Sequence, residues 1–413
     1  MTIWINNPFD FLPGEGARLQ RYGLLAQALI NAGHQVVWWS SDWNHIKKEV
    51  RSQTAAVSRS GLEIRLIRTM PYFKNVGVRR LISHWLYARS WKKTASSHGE
   101  NEDEKPDLII CSAPPLSTGW VMRGICRQLG CVGVIDVMDV WPETFERVAP
   151  AWMLWPLRWM AKCVYESADG ISAVGDSYLK VVKKYLEAEM PLAGTNPKPL
   201  YRCYHGIEMQ GEPENWKLET EAPLRLVYVG NMGKGYDLVT LVEAVNELND
   251  AGYAIRLDLA GMGEQEENVQ LLARTKKDSI RFHGLVTGDA LCTLIKQADV
   301  GVVPMFENTY VAVPYKLADY AVAGVPVISS LKGETEELIK RYDAGWCYDA
   351  GDVLSLKHAI QACSEEHQTP YKDLRKQRAR KMVEENFDAG KIYPEFVTWL
   401  EKLVETRGIT AVK

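Results

Sequence analysis

The chain has 413 residues, 46% of them hydrophobic and 24% charged, a length that predicts two domains of roughly 200 residues rather than one core. This composition excludes a disordered chain, and eight cysteines without a C-x-x-C pair argue against a zinc site or a disulfide framework. The net charge of −3 divides into +6 over residues 1–206 and −9 over the remainder, so the two halves are expected to meet different partners.

The first half alternates strand and helix patterns from its first residues onward. "TIWIN" is a short apolar strand without the basic head and long apolar stretch of a signal peptide, which predicts a cytoplasmic protein. The helix "LQRYGLLAQALINAG" follows, and further strands are predicted at "HQVVWWSS", "LEIRLIRT", "PDLIICSAPP", "CVGVIDVMD" and "ADGISAVG". Val- and Ile-rich strands spaced by helices indicate parallel βαβ units and a doubly wound sheet.

A break in this alternation indicates a boundary between two domains. Residues 187–223 are rich in Pro, Gly and charge, and the alternation then restarts with "LRLVYVGNMGKG", "IRLDLAGMGEQ", "IRFHGLV", "ADVGVVPM" and "VPVISS". We predict an N-terminal domain over 1–206 and a C-terminal domain over 207–389, with a helix over about 390–413 packing back on the first. Two such domains are expected to leave a cleft at the carboxyl ends of both sheets.

Glycine-rich turns stand at three of the predicted strand-to-helix junctions. Their candidate ligand-binding residues are Gly16 and Arg18 in "PGEGAR", Gly230, Asn231 and Lys234 in "VGNMGKG", and Gly263 in "LAGMG". Glycine lets the backbone approach a ligand closely, and the amides that open a helix favour phosphate. None of the turns matches the Walker pattern or G-x-G-x-x-G, and a purely structural turn is the alternative for each. Their common location favours an anionic ligand.

The stretch "PYKLADYAVAGVPVI" places Lys316 and Asp319 three residues apart, and therefore on one face of a helix. One interpretation is an exposed pair on a surface helix. The other is a helix that faces the cleft, with Lys316 meeting a phosphate and Asp319 accepting hydrogen bonds from a ribose diol, as acidic residues do in dinucleotide sites.

Taken in order, "YVGN…KG", "LAGMG", "IRFHGLV", "ADVGVVPM" and "PYKLADYAVAGVPVI" resemble the GT-B glycosyltransferases of the large retaining family 4. "PGEGARLQRYGLLAQALINAGHQVVWW" and "DVMDVWPE" are similar to its bacterial branch, which builds surface polysaccharides and lipid-linked sugars. The resemblance covers nearly the whole chain. It implies an α/β GT-B fold of two Rossmann-like, doubly wound parallel-sheet domains facing a central cleft. It also implies a nucleotide-sugar donor in the C-terminal domain and an acceptor in the N-terminal one.

The resemblance further implies roles for individual residues. By position, Asp319 matches the acid that holds the ribose hydroxyls, and Lys316 and Lys234 match positions that neutralise the diphosphate. Glu264, beside the turn at Gly263, lies where such enzymes approach the base and ribose. Tyr315, next to Lys316, is counted among the donor-binding residues.

The chain departs from the family pattern at the expected contact to the donor sugar. The family often has two glutamates eight positions apart, whereas here Val311 precedes Asp319 by eight residues. Glu307 and Asn308 are the nearest polar candidates, and Asn231 lies in the loop where the family has Arg. Two rival functions therefore stay open, a nucleotide-sugar epimerase of GT-B shape and a non-catalytic nucleotide-sugar-binding subunit.

Asp139 is the candidate catalytic residue. It follows the strand "GVIDVM" and is placed to orient or deprotonate an acceptor hydroxyl; a helix-capping or salt-bridged loop acid is the alternative. The chain contains no D-x-D pair, so we expect neither a metal nor a cofactor, with lysines and helix amides stabilising the leaving diphosphate.

Two basic and aromatic stretches predict contact with a membrane. Lys74 to Gly99 holds six basic residues and no acidic one, with Trp85 and Trp91 among the apolar residues between them, and "AWMLWPLRWMAKCVY" carries three tryptophans. Both stretches are too short or too charged to span a bilayer but suit an anionic interface, whereas core helices with solvated rims are the alternative. The expected partners are thus a nucleotide-sugar, a glycan or lipid-linked acceptor and the inner face of the cell membrane, with no nucleic acid.

Overall fold

The structure, a computed structural model, describes residues 1–16, 18–51, 60–74, 77–99, 101, 104–146, 149–187, 197–209, 211, 223–273, 279–307 and 309–411. The chain forms two compact units, Met1–Gly206 together with Ala389–Lys413, and Ile207–Asp388. It therefore passes from one unit to the other twice.

The first unit is built on a seven-stranded parallel sheet. Its strands are β1 (Thr2–Asn6), β2 (Gln35–Ser41), β5 (Leu62–Ile67), β6 (Leu108–Ala113), β7 (Val132–Val137), β8 (Gly170–Ala173) and β9 (Leu200–Arg202). Two further strands, β3 (Trp43–Asn44) and β4 (Glu49–Val50), pair with each other in a separate antiparallel hairpin. The order across the sheet is β5-β2-β1-β6-β7-β8-β9. Its central strands are buried along their length, as parallel strands covered on both faces must be.

Helices cover both faces of this sheet. They are α1 (Arg21–Asn31), α2 (Val78–His98), α3 (Leu116–Leu129), α4 (Ala151–Ser167) and α5 (Asp176–Glu187), with a short 3₁₀ turn at Glu143–Phe145. The helices α2, α3 and α4 pack side by side in that order.

A fully buried ion pair joins the elements at the carboxyl end of this sheet. Arg21 on α1 donates to Asp136 on β7 through Nε at 2.7 Å and Nη2 at 2.8 Å. The hydroxyls of Tyr22 and Ser172 also donate to this carboxylate, both at 2.7 Å. Burial alone would raise the pKa of Asp136, but the Arg21 charge and these hydrogen bonds hold it below its ordinary value. Because every member is paired, the cluster is structural, and removing either Arg21 or Asp136 would leave a buried charge uncompensated.

The second unit contains a six-stranded parallel sheet, built from β10 (Leu224–Val229), β11 (Ile255–Ala260), β12 (Ile280–Gly284), β13 (Val300–Val303), β14 (Val327–Ser329) and β15 (Gly345–Cys347). Its helices are α6 (Leu238–Asp250), α7 (Glu266–Ala273), α8 (Gly288–Lys296), α9 (Tyr315–Val322), α10 (Glu334–Tyr342), α11 (Val353–His367) and α12 (Tyr371–Asn386). The strand order is β12-β11-β10-β13-β14-β15.

Each sheet reverses its winding direction once, between β1 and β6 in the first unit and between β10 and β13 in the second. In open parallel sheets of this Rossmann-like order, ligands bind beyond the carboxyl ends of the strands at that reversal. The prediction of two doubly wound parallel sheets is confirmed, and it directs attention to the loops after these four strands.

The last helix, α13 (Ala389–Ala411), belongs to the first unit. Tyr393 and Leu400 are fully buried in that unit's core, and Gly206 donates its N–H to the Tyr393 hydroxyl at 3.1 Å. The ring of Phe396 stacks on Tyr201 of β9 with their centroids 5.4 Å apart. The hydrophobic core of the first unit is thus completed by residues that follow the second unit in sequence.

Candidate functional site

Two glycine-rich turns lie against each other at the carboxyl edge of the second sheet. Gly230 and Gly261, which follow β10 and β11, have φ angles of +129° and +137°. A Cβ on Gly261 would lie 1.9 Å from the carbonyl oxygen of Gly230, so only glycine fits there. The contact continues as the N–H of Met232 donates to the carbonyl of Met262 at 2.9 Å.

Gln265 fixes the shape of the first of these turns. Its side-chain amide donates to the carbonyls of Gly233 at 2.5 Å and Tyr236 at 2.8 Å, while its own N–H donates to Met232 at 3.0 Å. Sequence reasoning missed this residue, because its partners lie about 30 positions upstream and no local pattern connects them. The turn is held in one conformation by contacts within the unit, so ordering it would cost a ligand little.

Lys316 is the buried cation of this region. Only 9% exposed, it donates through Nζ to the Tyr228 hydroxyl at 2.9 Å, and Nζ lies 3.6 Å from the centroid of the Tyr236 ring. Burial lowers the pKa of Lys316 well below its ordinary value, an effect that the charge of Asp319 opposes. The interpretation of Lys316 and Asp319 as an exposed surface pair is therefore wrong.

Lys316 also explains the glycine at the end of β10. A Cβ on Gly230 would lie 2.7 Å from Cε of Lys316, so the lysine stem passes directly over the glycine backbone. Two residues predicted to bind the donor, 86 positions apart in sequence, are thereby brought into contact.

Asp319 is half-buried on α9, which is anchored to the sheet by its neighbour Tyr320. The Tyr320 hydroxyl accepts a hydrogen bond from the N–H of Val229 at 2.9 Å, at the last residue of β10. The Tyr320 ring packs where a side chain on Gly301 would otherwise stand, since a Cβ there would lie 2.3 Å from the ring. These contacts place the opening turns of α9 beside the reversal between β10 and β13.

The exposed members of the predicted donor set are less constrained. Lys234 is 86% exposed, and its Nζ lies 3.5 Å from Oε2 of Glu264, which is 69% exposed. Asn231 is exposed as well, and a Cβ on Gly263 would meet its Oδ1 at 2.7 Å. These four residues share one rim of the paired turns.

The remaining predicted residues are scattered. Tyr315 is half-buried at the first position of α9, and Glu307 is exposed in the loop before it, whereas Asn308 lies outside the described residues. Gly16, with a φ of +77°, and Arg18 are exposed in the loop between β1 and α1 of the first unit.

The candidate catalytic residue Asp139 lies beyond the carboxyl end of β7 in the first unit. Trp141 donates its indole N–H to Oδ2 of Asp139 at 3.1 Å, and the Thr144 hydroxyl donates to Oδ1 at 3.4 Å. Burial raises the pKa of Asp139 to about 6, and these hydrogen bonds and the Arg80 charge oppose the rise. The carboxylate is thus oriented, and its pKa lies close to neutral pH.

Sequence reasoning missed Arg80, whose charge acts on this carboxylate, and two histidines close to Arg80. The Arg80 guanidinium lies 5.1 Å from the centroid of the Trp141 ring, and its Nε donates to Nε2 of His84 at 3.3 Å. Nδ1 of His45 lies 2.8 Å from the Tyr72 hydroxyl. Burial and nearby cations lower the pKa of His45 to about 3 and that of His84 well below its ordinary value, so both rings are neutral at pH 7. Isolated histidines in a loop and on a helix gave no periodic signal.

The position of Arg80 corrects the expected basic surface. We predicted that Arg80 and Trp91 belong to an exposed membrane-facing side of α2, but Arg80 turns toward Asp139 and Trp91 is fully buried. Other members of the two stretches are exposed, including Trp85 at 56% and Trp152 at 77%. Among the described helices, none is both long and apolar enough to cross a bilayer.

Within the described ranges, no three or more His, Cys, Asp and Glu residues are grouped so that they could hold a metal ion.

Comparison with known proteins adds family evidence to this geometry. A family model described as glycosyl transferases group 1 matches residues 223–366, which lie in the second unit. WcaL of Escherichia coli K12, a protein named for colanic acid biosynthesis, is 25% identical over 186 residues, covering 44% of this chain and 46% of WcaL. The chain spans about half the length of the curated relatives it matches.

Solved structures match over almost the entire chain. Sucrose-phosphate synthase from Thermosynechococcus elongatus aligns with a TM-score of 0.72 at 15% identity, covering 98% of this chain and 99% of that one. Anabaena HepE in complex with UDP aligns with a TM-score of 0.66 at 12% identity, covering 97% and 100%. Similarity at these identities concerns the fold, and the predicted GT-B fold is confirmed.

Proposed function

Because residues 223–366 match a family model described as glycosyl transferases group 1 and the chain has the GT-B fold, we propose that it is a glycosyltransferase. It moves a sugar from a nucleotide-diphosphate sugar to a hydroxyl of a glycan or lipid-linked acceptor, with retention of configuration, in bacterial surface-polysaccharide synthesis. The second unit takes the donor and the first takes the acceptor. The observation that carries the proposal is the buried Lys316 lying over Gly230 at the strand reversal.

Lys316 suits the leaving diphosphate for an electrostatic reason. Cleavage of the sugar–phosphate bond leaves negative charge on the diphosphate, and an enzyme gains most by stabilising that charge with fixed groups. Burial disfavours the ammonium form of Lys316 in the free protein. A diphosphate against the backbone of Gly230 adds negative charge to that of Asp319 near Lys316, so binding and protonation of Lys316 favour each other. Lys234 adds a second cation from the solvated rim.

Asp319 is the candidate for recognition of the nucleotide. It lies one turn from Lys316 on α9, so a carboxylate for the ribose diol and a cation for the diphosphate face the same region. HepE, which shares the fold, is seen in complex with UDP and with UDP-glucose. UDP-sugars are therefore the first donors to test.

Asp139 supplies the proton acceptor of the proposed reaction. With a pKa of about 6, it is mostly ionised at pH 7 yet basic enough to take a proton from an acceptor hydroxyl as the new bond forms. The indole of Trp141 and the hydroxyl of Thr144 orient its two oxygens.

A thermal-shift screen of UDP, GDP and TDP, with their sugars, tests donor binding directly. A ligand at 100 times its dissociation constant stabilises the protein by about 2.7 kcal/mol, which is readily measured. Failure of every nucleotide to stabilise the protein would contradict the proposal. Incubating the stabilising donor without acceptor then separates the rivals: a new epimer identifies an epimerase, and donor hydrolysis argues against a mere binding subunit. We expect turnover to survive EDTA, since the sequence has no D-x-D pair.

We also propose that the first unit contacts an anionic membrane. Trp152 and Trp155 are highly exposed near the start of α4, and Arg79 and Lys93 are exposed on α2. Exposed indoles beside cations favour a bilayer interface. Flotation with anionic liposomes is expected to capture the protein at low salt and release it at high salt, and replacing both tryptophans by serine is expected to weaken capture. Absence of capture at any salt would leave a soluble acceptor as the alternative.

A further inference from the structure

The helices α2, α3 and α4 enclose a groove of about 780 Å³ on the first unit. The polar cluster around Asp139 lies on the other side of α2, because His84 packs toward Trp141 while the next residue, Trp85, lines the groove. Ser117 of α3 lines the groove, and its hydroxyl donates a hydrogen bond to the His84 carbonyl of α2 at 3.0 Å.

Three tryptophans, one from each helix, form the apolar part of the groove. Trp120 and Trp159 pack with their ring centroids 5.3 Å apart, and Trp85 lines the groove from α2. All three are substantially exposed, although indoles of this size are normally buried in a core. The exposed indole surfaces therefore form an apolar lining against which a hydrocarbon chain can pack.

Four cations form the polar part. They are Arg89 and Lys92 on α2, and Arg123 and Arg127 on α3. Among the described residues that line the groove, none is acidic. The α2–α3 crossing brings Lys92 close to the other helix, since a Cβ on Gly124 would lie 3.9 Å from its Nζ.

The nearest acidic residues are engaged elsewhere. An adjoining recess beside Arg123 and Arg127 contains Asp169 and Glu166. Asp169 accepts from the N–H of Gly133 at 2.7 Å and from Arg407 at 2.9 Å, and Glu166 lies 3.6 Å from Lys162. Both carboxylates thus have partners outside the groove, and the side chains that line the groove itself are basic or uncharged.

We propose that this groove binds one membrane lipid at a time, a lipid whose headgroup ends in a phosphate monoester or diphosphate. The four cations hold the phosphate, and the three indoles flank the start of the hydrocarbon chain. A free anion would leave the indoles exposed, and an apolar peptide would leave the cations unpaired, so a lipid phosphate complements both. The site depends on the membrane contact proposed above but not on the transfer reaction.

A specific site differs from general attraction to a charged surface in two measurable ways. General attraction depends on net charge, so it contributes about 1 kcal/mol for each cation near the bilayer wherever that cation stands. Binding in a groove that holds a terminal phosphate depends instead on the positions of the cations and on the charge of the individual lipid headgroup.

Vesicle flotation with matched variants separates the two. The groove variant Lys92→Glu/Arg123→Glu is compared with Lys183→Glu/Lys184→Glu on α5, which changes the charge equally at exposed positions that neither line the groove nor belong to the proposed membrane contact. Vesicles carry phosphatidic acid or phosphatidylglycerol at equal surface charge. We expect the groove variant to lose at least about tenfold more partitioning to phosphatidic acid than the control variant does. The wild type is expected to prefer phosphatidic acid.

Two outcomes would overturn the groove. One is an equal loss in both variants, and the other is equal capture of the wild type by the two lipids. If the wild type floats with neither vesicle, the membrane contact itself fails along with the groove. UDP binding, measured on the same samples, reports on the transferase proposal independently.

Discussion

The carboxyl edges of the two sheets use the same topology in different ways. At the first edge, polar side chains lie among aromatic rings, with the pKa of Asp139 raised by burial to about 6 and that of His45 lowered by burial to about 3. At the second, glycine backbones touch and the charges of Lys234 and Glu264 stand in solvent, with Lys316 as the buried exception.

This difference indicates a division of chemistry between the units. A carboxylate with a pKa near neutrality can take a proton from an alcohol, whereas closely packed glycine turns beside a lysine side chain can hold an anion. The first edge therefore suits the acceptor hydroxyl and the second suits the donor diphosphate. Substitutions at the first edge should lower transfer activity, and substitutions at the second should weaken nucleotide binding.

Asp139→Asn should have the largest effect, on activity. Loss of a general base lowers rates by about 10²–10⁴-fold, so transfer should fall by this factor while UDP binding stays unchanged. In the wild type, kcat/KM should decline as the pH falls through about 6, because protonated Asp139 cannot accept a proton. Initial rates against pH, with calorimetry for UDP, provide the measurement. An unchanged transfer rate in the variant would show that Asp139 at the first edge does not act in catalysis.

The same variant distinguishes a catalytic acid from a structural one. The pKa of Asp139 is raised from 3.8 to about 6, so the folded protein binds this proton more tightly, and stability is lost as the pH rises between these values. Asparagine needs no ionisation, so the variant should be more stable than the wild type at pH 7 by roughly 1–3 kcal/mol and should gain nothing near pH 4. A variant less stable at pH 7 would instead identify a loop-capping acid.

Gly261→Ala should have the next largest effect, on the stability of the second unit. The new Cβ would lie 1.9 Å from the Gly230 carbonyl, and clash and backbone strain together should cost at least about 3 kcal/mol. Gly252→Ala is the matched control, since its φ of +92° is also positive but its Cβ would meet no atom within 4 Å. That control should cost about 1 kcal/mol. Unfolding is measured by calorimetry. If the two variants lose the same free energy of unfolding, the contact between the paired turns contributes little to stability.

Asp319→Ala should weaken UDP binding by about 10- to 100-fold with little change in stability, since hydrogen bonds to a charged group contribute about 1.5–3 kcal/mol. Asp319→Asn keeps the shape and one acceptor oxygen, so its loss should be smaller. Titration calorimetry with UDP and with uridine, which shares the ribose, should show similar losses for both. Full affinity in both variants would exclude Asp319 from the site.

Lys234→Ala should have the smallest effect. The side chain is 86% exposed, so stability should change by less than about 0.5 kcal/mol and UDP affinity by several-fold, less at high salt. Glu264→Ala removes the partner of Lys234 but keeps the cation, so a loss of affinity in that variant reports the predicted approach of Glu264 to the base and ribose. Full UDP affinity in both variants would exclude this rim of the second edge from the site.

Part of this site could be predicted from the sequence because its signals are local. Strands such as "IRLDLAG" are recognisable from composition, and glycines at strand ends identify the turns. The spacing of Lys316 and Asp319 places them on one helical face without any structure.

The rest depends on partners distant in sequence. The burial of Lys316 requires the rings of Tyr228 and Tyr236, contributed by β10 and the turn after it. Arg80 stands in a basic, amphipathic pattern, and its inward direction is decided by Trp141, some 60 positions away. Periodicity shows on which face of a helix a residue lies. Which residues pack against that face is determined by the tertiary fold.

The placement of α13 in the first unit has a consequence for synthesis on the ribosome. Tyr393, Phe396 and Leu400 fill the core of the first unit, yet they are made only after the whole second unit, Ile207–Asp388. At about 5–20 residues per second, the nascent first unit waits roughly 10 to 40 s with that part of its core uncovered. During this interval the surface that will receive Phe396 exposes the Tyr201 ring and its apolar neighbours, making it the natural place for a chaperone to protect the growing chain.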